Sequence, residues 1–232
     1  HTGCRTSGVR SVQPARPYLF FALIGSVFYL LGAALLYGAY GTLDMAGLRL
    51  QAHYNPATSV ALGLMIVGLM AKAALFPLHL WLPPAHAGAP AAASAVLSAL
   101  VVKAPFFLIL RLWFDVAPQP GNQLAAQMLA WLGIFSIVFC SIIALRQVRL
   151  KLMIAYSTVA QIGYLFLVFP LVMASDAPSA WQSIGWTGGV LQLVSHALAK
   201  ASMFLAAGLI AEALGHDRID NLNGAVTAVP IS

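Results

Sequence analysis

Lys72, Lys103 and Lys200, three of the four lysines in the chain, stand inside long apolar runs. An ammonium group at mid-bilayer costs roughly 3 kcal/mol on insertion scales, so such lysines are rare unless they face a polar interior and carry a charge or a proton. The chemistry three of them offer together is the holding and release of protons. Two lysines about 10 Å apart at an effective ε near 20 repel by roughly 1.7 kcal/mol, enough for protonation of one to disfavour protonation of the next.

Each lysine stands in a distinctive setting. Lys72 is followed by Pro77 and His79. A proline inside a helix loses its N–H and clashes with the carbonyl four residues back, here Ala73, so this segment is predicted to be kinked or broken. Non-helical backbone at membrane depth is tolerated only where it lines a cavity or is buried in protein, and broken helices are where transporters place ion sites. Lys103 repeats the device, with Pro105 disturbing the carbonyl of Val101. Gln192, His196 and Lys200 are spaced i, i+4, i+8 on one helix stripe, with Ser195 beside it. Histidine is the side chain that titrates nearest neutrality, so His196 and Lys200 form a plausible proton-passing pair.

Plainer readings stand beside these. Lys72 could be a lysine reaching toward the interface past a simple proline kink. Lys103 could pair with a carboxylate from another chain, since no acidic residue here lies in mid-span. The 192–200 stripe could join helices by hydrogen bonds, and that is the better reading for Tyr156, Ser157, Thr158 and Gln161. His79 is a candidate access residue. His86 reads as a solvated turn residue, and His1, His53 and His216 carry no usable signal.

The elements that must position these groups are membrane helices. Hydrophobic residues make up 61% of the chain and charged ones 8%, with a mean hydropathy of +0.87; a soluble domain carries about 25% charged residues. Six apolar stretches, at about 17–40, 57–82, 91–114, 124–145, 152–174 and 184–214, each reach the roughly 20 residues that a bilayer requires. A helix is the open element that satisfies its own backbone in lipid, so an all-α polytopic bundle of about six spans is predicted. Turn chemistry separates the spans: Asn55-Pro56, Pro83-Pro84, Pro118 to Gly121, and Asp176 to Pro178. At 1.5 Å per residue from a hairpin at 83–90, Lys72 and Lys103 would lie about 17 and 20 Å deep, near the midplane.

Loop charge predicts the orientation. Arg5, Arg10 and Arg16, then Arg146, Arg149 and Lys151, then Arg218 fall on one side of six spans, against Arg49 and Arg111 on the other. Both ends are thus expected to face the cytoplasm. The net charge of +6 reports this topology, not nucleic-acid binding. Cys4 and Cys140 can build neither a disulfide framework nor a metal quartet. The chain opens on His1, and its first sixteen residues lack a signal peptide's apolar core and small-residue site, so it reads as an internal piece of a longer protein.

These residues also match a known pattern. Lys72-Ala-Ala-Leu-Phe-Pro-Leu-His-Leu-Trp-Leu-Pro, followed by Ala87-Gly-Ala-Pro and Lys103, resembles the proton-conducting antiporter-like subunits of respiratory complex I, a superfamily shared with multi-subunit sodium/proton antiporters and membrane-bound hydrogenases. Lys151-Leu-Met-Ile-Ala-Tyr-Ser-Thr-Val-Ala-Gln-Ile-Gly-Tyr and Ser195-His-Ala-Leu-Ala-Lys-Ala-Ser-Met-Phe-Leu resemble its later signatures. The resemblance runs from about Arg16 onward, leaving 1–16 as a poorly matching tail and 17–232 as a partial transmembrane proton-conducting domain. It implies a fragment of a fourteen-helix fold built from inverted repeats with broken helices. It assigns Lys72 to the first broken helix, Lys103 to the next relay position, and His196 and Lys200 to a central bridge. It further implies an upstream glutamate helix and a downstream broken helix that this sequence lacks.

The expected function is therefore proton movement as a non-redox subunit of an NADH:quinone oxidoreductase-like complex in a bacterial inner membrane. Other membrane subunits, the lipid bilayer, protons and, in the alternative below, sodium are the expected partners, with no cofactor, metal or nucleic acid. Sodium/proton antiport is the alternative within the class. From other classes come a haem-carrying subunit using His79 and His196, and a purely structural bundle. Nothing resembles a nucleotide, flavin or iron–sulfur site.

Overall fold

The computed structural model describes residues 15–53, 55–117, 123–173 and 178–222. The expected turns at 118–121 and 176–177, and all but residues 15 and 16 of the expected tail, lie outside them. The described residues are helical, with no β-strand among them. Helices α1 (Ala15–Tyr40), α2 (Met45–Gln51), α3 (Pro56–Lys72) and α4 (Leu82–Gly88) form the first half. Next come α5 (Ala91–Val96), a π-helical turn (Leu97–Val101), α6 (Lys103–Arg111) and a second π-turn (Leu112–Val116), together one kinked passage. Helices α7 (Gln123–Leu145), α8 (Leu150–Phe166), α9 (Val168–Met173) and α10 (Ser179–Leu214) complete it.

Among the described residues, five passages are long and apolar enough to cross a membrane: Tyr18–Tyr40, Ala91–Val116, Gln123–Leu145, Leu150–Met173 and Ser179–Leu214. The sixth expected span does not form as one helix. Asn55 caps α3 by accepting from Thr58 N at 2.7 Å, with Pro56 in the first turn, where a missing N–H costs nothing. The helix then stops at Lys72. Ala74 takes a left-handed φ of 56°, Leu75 N bonds Met70 O at 3.2 Å and Ala74 N bonds Ala71 O at 3.3 Å. That pair of bonds is a Schellman closure. The break is thus a helix end, not a proline kink, and Pro77 lies beyond it, exposed, after a cis peptide bond. The depth reckoned for Lys72 from a continuous helix to residue 82 does not hold.

Close helix contacts are made by glycine. A Cβ added to Gly25 of α1 would lie 2.7 Å from the carbonyl of Gly68 on α3. One on Gly133 of α7 would lie 2.6 Å from that of Gly163 on α8. The core is densely aromatic where α6, α8 and α9 meet, with Phe106, Phe166 and Phe169 all buried and their ring centres 5.3–6.1 Å apart. The outer faces of α1, α7 and α10 expose Leu, Phe and Trp side chains, as helices do when lipid is their solvent.

Helix α10 starts at Ser179, earlier than the expected residue 184, and its 36 residues span about 54 Å. Its far end is tied to the start of α8. Leu150 N bonds Asp217 O at 2.8 Å, Ile219 N bonds Val148 O at 2.9 Å, and Arg149 Nε meets Asp217 at 3.0 Å. This brings the basic fourth connection and the segment after the last span to one end of the bundle, the same side that loop charge predicts.

Candidate functional site

The residues singled out in the sequence fall into two settings. Lys103 at the start of α6 and Lys200 in mid-α10 are both 5% exposed, and His196, one turn before Lys200, is 4% exposed. The charge of Lys200 bears on Lys103, and both lysines bear on His196. These three converge. Lys72 is half-buried at the end of α3. It lines a cavity of about 230 Å³ with Tyr18, Ala22, Trp81, Val101 and Pro105. The stem of Lys72 lies close to Gly25, where an added Cβ would come 3.3 Å from Lys72 Cγ.

The break beside Lys72 is braced by Trp81, whose indole N–H donates to Ala71 O at 2.9 Å. His79 is 2% exposed and stacks on Phe76 at 5.5 Å, with Phe139 of α7 beyond it. His79 and His196 occupy different surroundings and do not converge as a ligand pair.

The π-turn before Lys103 supplies that lysine's acceptor. Its widened turn is closed by Val102 N to Leu97 O at 3.3 Å, and Lys103 Nζ donates to the carbonyl of Ser98. Pro105 lies inside the continuous kinked passage Ala91–Val116, just after the π-turn Leu97–Val101, with no N–H to offer the Val101 carbonyl. Such π-turns recur at functional sites.

On α10, Lys200 Nζ donates across the helix pair to Ser157 Oγ of α8 at 2.5 Å. Gln192 Nε2 donates to Gln161 Oε1 at 2.6 Å. Thr158 Oγ1 pairs with Ser98 Oγ at 3.1 Å. The hydroxyls and amide read as helix-joining groups do join helices, and one of them also holds a site lysine. Ser195 is exposed and donates back to Gln192 O at 3.3 Å, off the buried stripe.

His86 corrects the sequence reading most sharply. It is not a solvated turn residue. Pro83 and Pro84 open a short helix, α4, that packs against α8. His86 is 0% exposed, stacked on Phe204 of α10 with ring centres 4.3 Å apart. The charges of Lys103, Lys151 and Lys200 reach it. Neither ring nitrogen of His86 or of His196 has a hydrogen-bond partner among the described residues.

The group thus comprises two buried lysines, two buried imidazoles, the buried hydroxyls of Ser98 and Thr158 and the half-buried hydroxyl of Ser157, from α4, the first π-turn, α6, α8 and α10. No ion pair among the described residues reaches either lysine; the two that occur are Arg111–Asp115 and Arg149–Asp217. Among the described residues no cluster of His, Cys, Asp or Glu has the make-up of a metal site. The arrangement can hold ammonium protons on neutral oxygens and offers imidazoles beside them.

Comparison with known proteins agrees with this architecture. The family described as NADH:quinone oxidoreductase/Mrp antiporter, TM, matches residues 3–232, which extends the likeness into the tail upstream of Arg16. NADH-quinone oxidoreductase subunit N of Desulforudis audaxviator is 33% identical over 97% of this chain and 44% of that protein. An archaeal membrane-bound sulfane sulfur reductase structure superposes with a TM-score of 0.83 at 33% identity, covering 96% of this chain and 46% of the matched one. The Mrp complex of Dietzia sp. DQ12-45-1b gives 0.77 at 29% identity, over 89% and 37%. The chain spans less than half the length of each of these proteins.

Proposed function

We propose that this chain, which belongs to the NADH:quinone oxidoreductase/Mrp antiporter transmembrane family, carries protons across a membrane as a non-redox subunit of a larger redox-driven complex. Lys72 takes up a proton beside the break, with His79 as an access residue. Lys103, His196 and Lys200 pass it laterally, and Gln192 steadies α10 against α8. Ser195, exposed and turned back on its own helix, is at most an access residue at the edge.

The observation that carries this reading is the joint burial of Lys103 and Lys200 within electrostatic reach, each bound to a neutral oxygen and to no carboxylate of the described residues. A purely structural lysine at this depth would call for a permanent counter-charge. The relatives in complex I-like assemblies support membrane partners and a bacterial inner-membrane setting for the chain. Sodium/proton antiport is the second reading, favoured by the likeness to the Mrp complex.

Replacing Lys103 with methionine in the intact complex tests the proposal. Assembly should persist and proton translocation per electron pair should fall to background; full translocation by the assembled variant refutes it. Sodium-independent translocation by the unaltered complex supports the redox-driven reading, and a strict sodium requirement supports antiport.

A further inference from the structure

Both buried lysines are tied to one place on α8, Lys200 directly through Ser157 and Lys103 indirectly, through Ser98 of the first π-turn, whose hydroxyl meets Thr158. Ser157 Oγ donates its own proton to the carbonyl of Ile154 at 2.8 Å, which leaves its lone pairs for Lys200. Thr158 Oγ1 donates to the same carbonyl at 3.0 Å, so the Ser98 hydroxyl is the donor in the Ser98–Thr158 pair. Ser98 is fixed in this way, and its carbonyl receives Lys103. Ser98 and Thr158 are fully buried. One helix carbonyl therefore orients two hydroxyls, Ser157 as the acceptor of Lys200 and Thr158 as the acceptor of the Ser98 hydroxyl, whose residue offers its backbone carbonyl to Lys103.

The chemistry of these acceptors suits a proton that must leave. A carboxylate would give a charge-assisted bond about twice as strong as a neutral one and would retain the ammonium form. A hydroxyl whose hydrogen is committed elsewhere can only accept, so it favours the protonated lysine by a moderate amount and cannot take the proton itself. Ser157 and Thr158 share an anchor, so a shift of α8 at Ile154 bears on Lys200 directly and on Lys103 through Ser98.

We propose that Ser157 and Thr158, held by the Ile154 carbonyl, are positioning residues that set how firmly Lys200 and Lys103 hold their protons and so couple the two. The inference rests on the proton-carrying reading above. The test measures translocation per turnover, normalised to assembled subunit, in the full membrane complex. Ser157→Ala and Thr158→Val should each slow it about ten- to a hundredfold, the loss of one hydrogen bond to or beside a charged group. Ser157→Thr and Thr158→Ser, which keep the hydroxyls, should restore most of the rate. Unchanged translocation in Ser157→Ala and Thr158→Val overturns the inference, as does equal loss in the hydroxyl-keeping variants, which would indicate packing alone. Lys200→Met measured alongside separates the two levels. If it translocates normally, the proton-carrying reading fails; if it is inactive while Ser157→Ala and Thr158→Val are normal, the hydroxyl assignment alone fails.

Discussion

Trp81 donates its indole N–H to the carbonyl of Ala71 at 2.9 Å, ten residues back along the chain. The bond folds the unwound stretch 73–81 over the end of α3. Both residues are buried, and Trp81 forms a wall of the cavity beside Lys72. A break in a membrane helix must find partners for the carbonyls it frees, and here an aromatic side chain supplies one.

Trp81→Phe keeps the ring bulk and removes that donor. Ala71 O then retains only the longer 3.3 Å bond from Ala74 N. We expect a loss of about 1 kcal/mol, the net worth of one hydrogen bond. In a thermal scan of the purified complex the subunit's transition should fall by about 2–4 °C. An unchanged transition would show that the break is held without Trp81.

The glycines offer a paired prediction. Gly25→Ala sets a methyl against the backbone carbonyl of Gly68 and the stem of Lys72. Forced apart, α1 and α3 should lose about 1–3 kcal/mol, the usual cost of overpacking. Gly63→Ala on α3 meets nothing within 4 Å. It should be neutral or stabilising by up to about 1 kcal/mol, from helix propensity. Thermal stability of the two variants, measured side by side, checks both signs at once.

The sequence made some of this legible and hid the rest for physical reasons. Lys72, Lys103 and Lys200 stand out because charge within an apolar run is costly, whatever the tertiary structure. The break after Lys72 was visible through Pro77, yet its cause was not: Ala74 occupies the left-handed closing position where a glycine would have announced a helix end. His86 was misplaced because Pro83-Pro84 reads as a turn, whereas prolines are equally at home in a first helical turn. Its burial comes from Phe204, far along the chain, and local pattern carries no trace of that contact. Ser157 and Thr158 looked like ordinary helix-joining hydroxyls, since spacing alone does not tell which lysine lies opposite.

Lys72 lines a cavity beside the break, with Val101 and Pro105 of the Lys103 passage across it, so it tests whether the break belongs to the same path. Lys72→Ala should abolish proton translocation in a complex that still assembles. Lys72→Arg should fail as well, because a guanidinium does not give up its proton in the working range. Wild-type translocation by either assembled variant would remove Lys72 from the path.

The central claim is that Lys200 gains and loses a proton in each cycle, and Lys200→Met measures it most directly. Methionine keeps most of the length and apolar bulk, so α10 can still pack on α8. The measurement is proton translocation per turnover in reconstituted vesicles, with the amount of assembled subunit determined on the same sample. The account predicts normal assembly with translocation reduced to background. Unchanged translocation per assembled complex would contradict it and leave Lys200 as a packing residue held by Ser157.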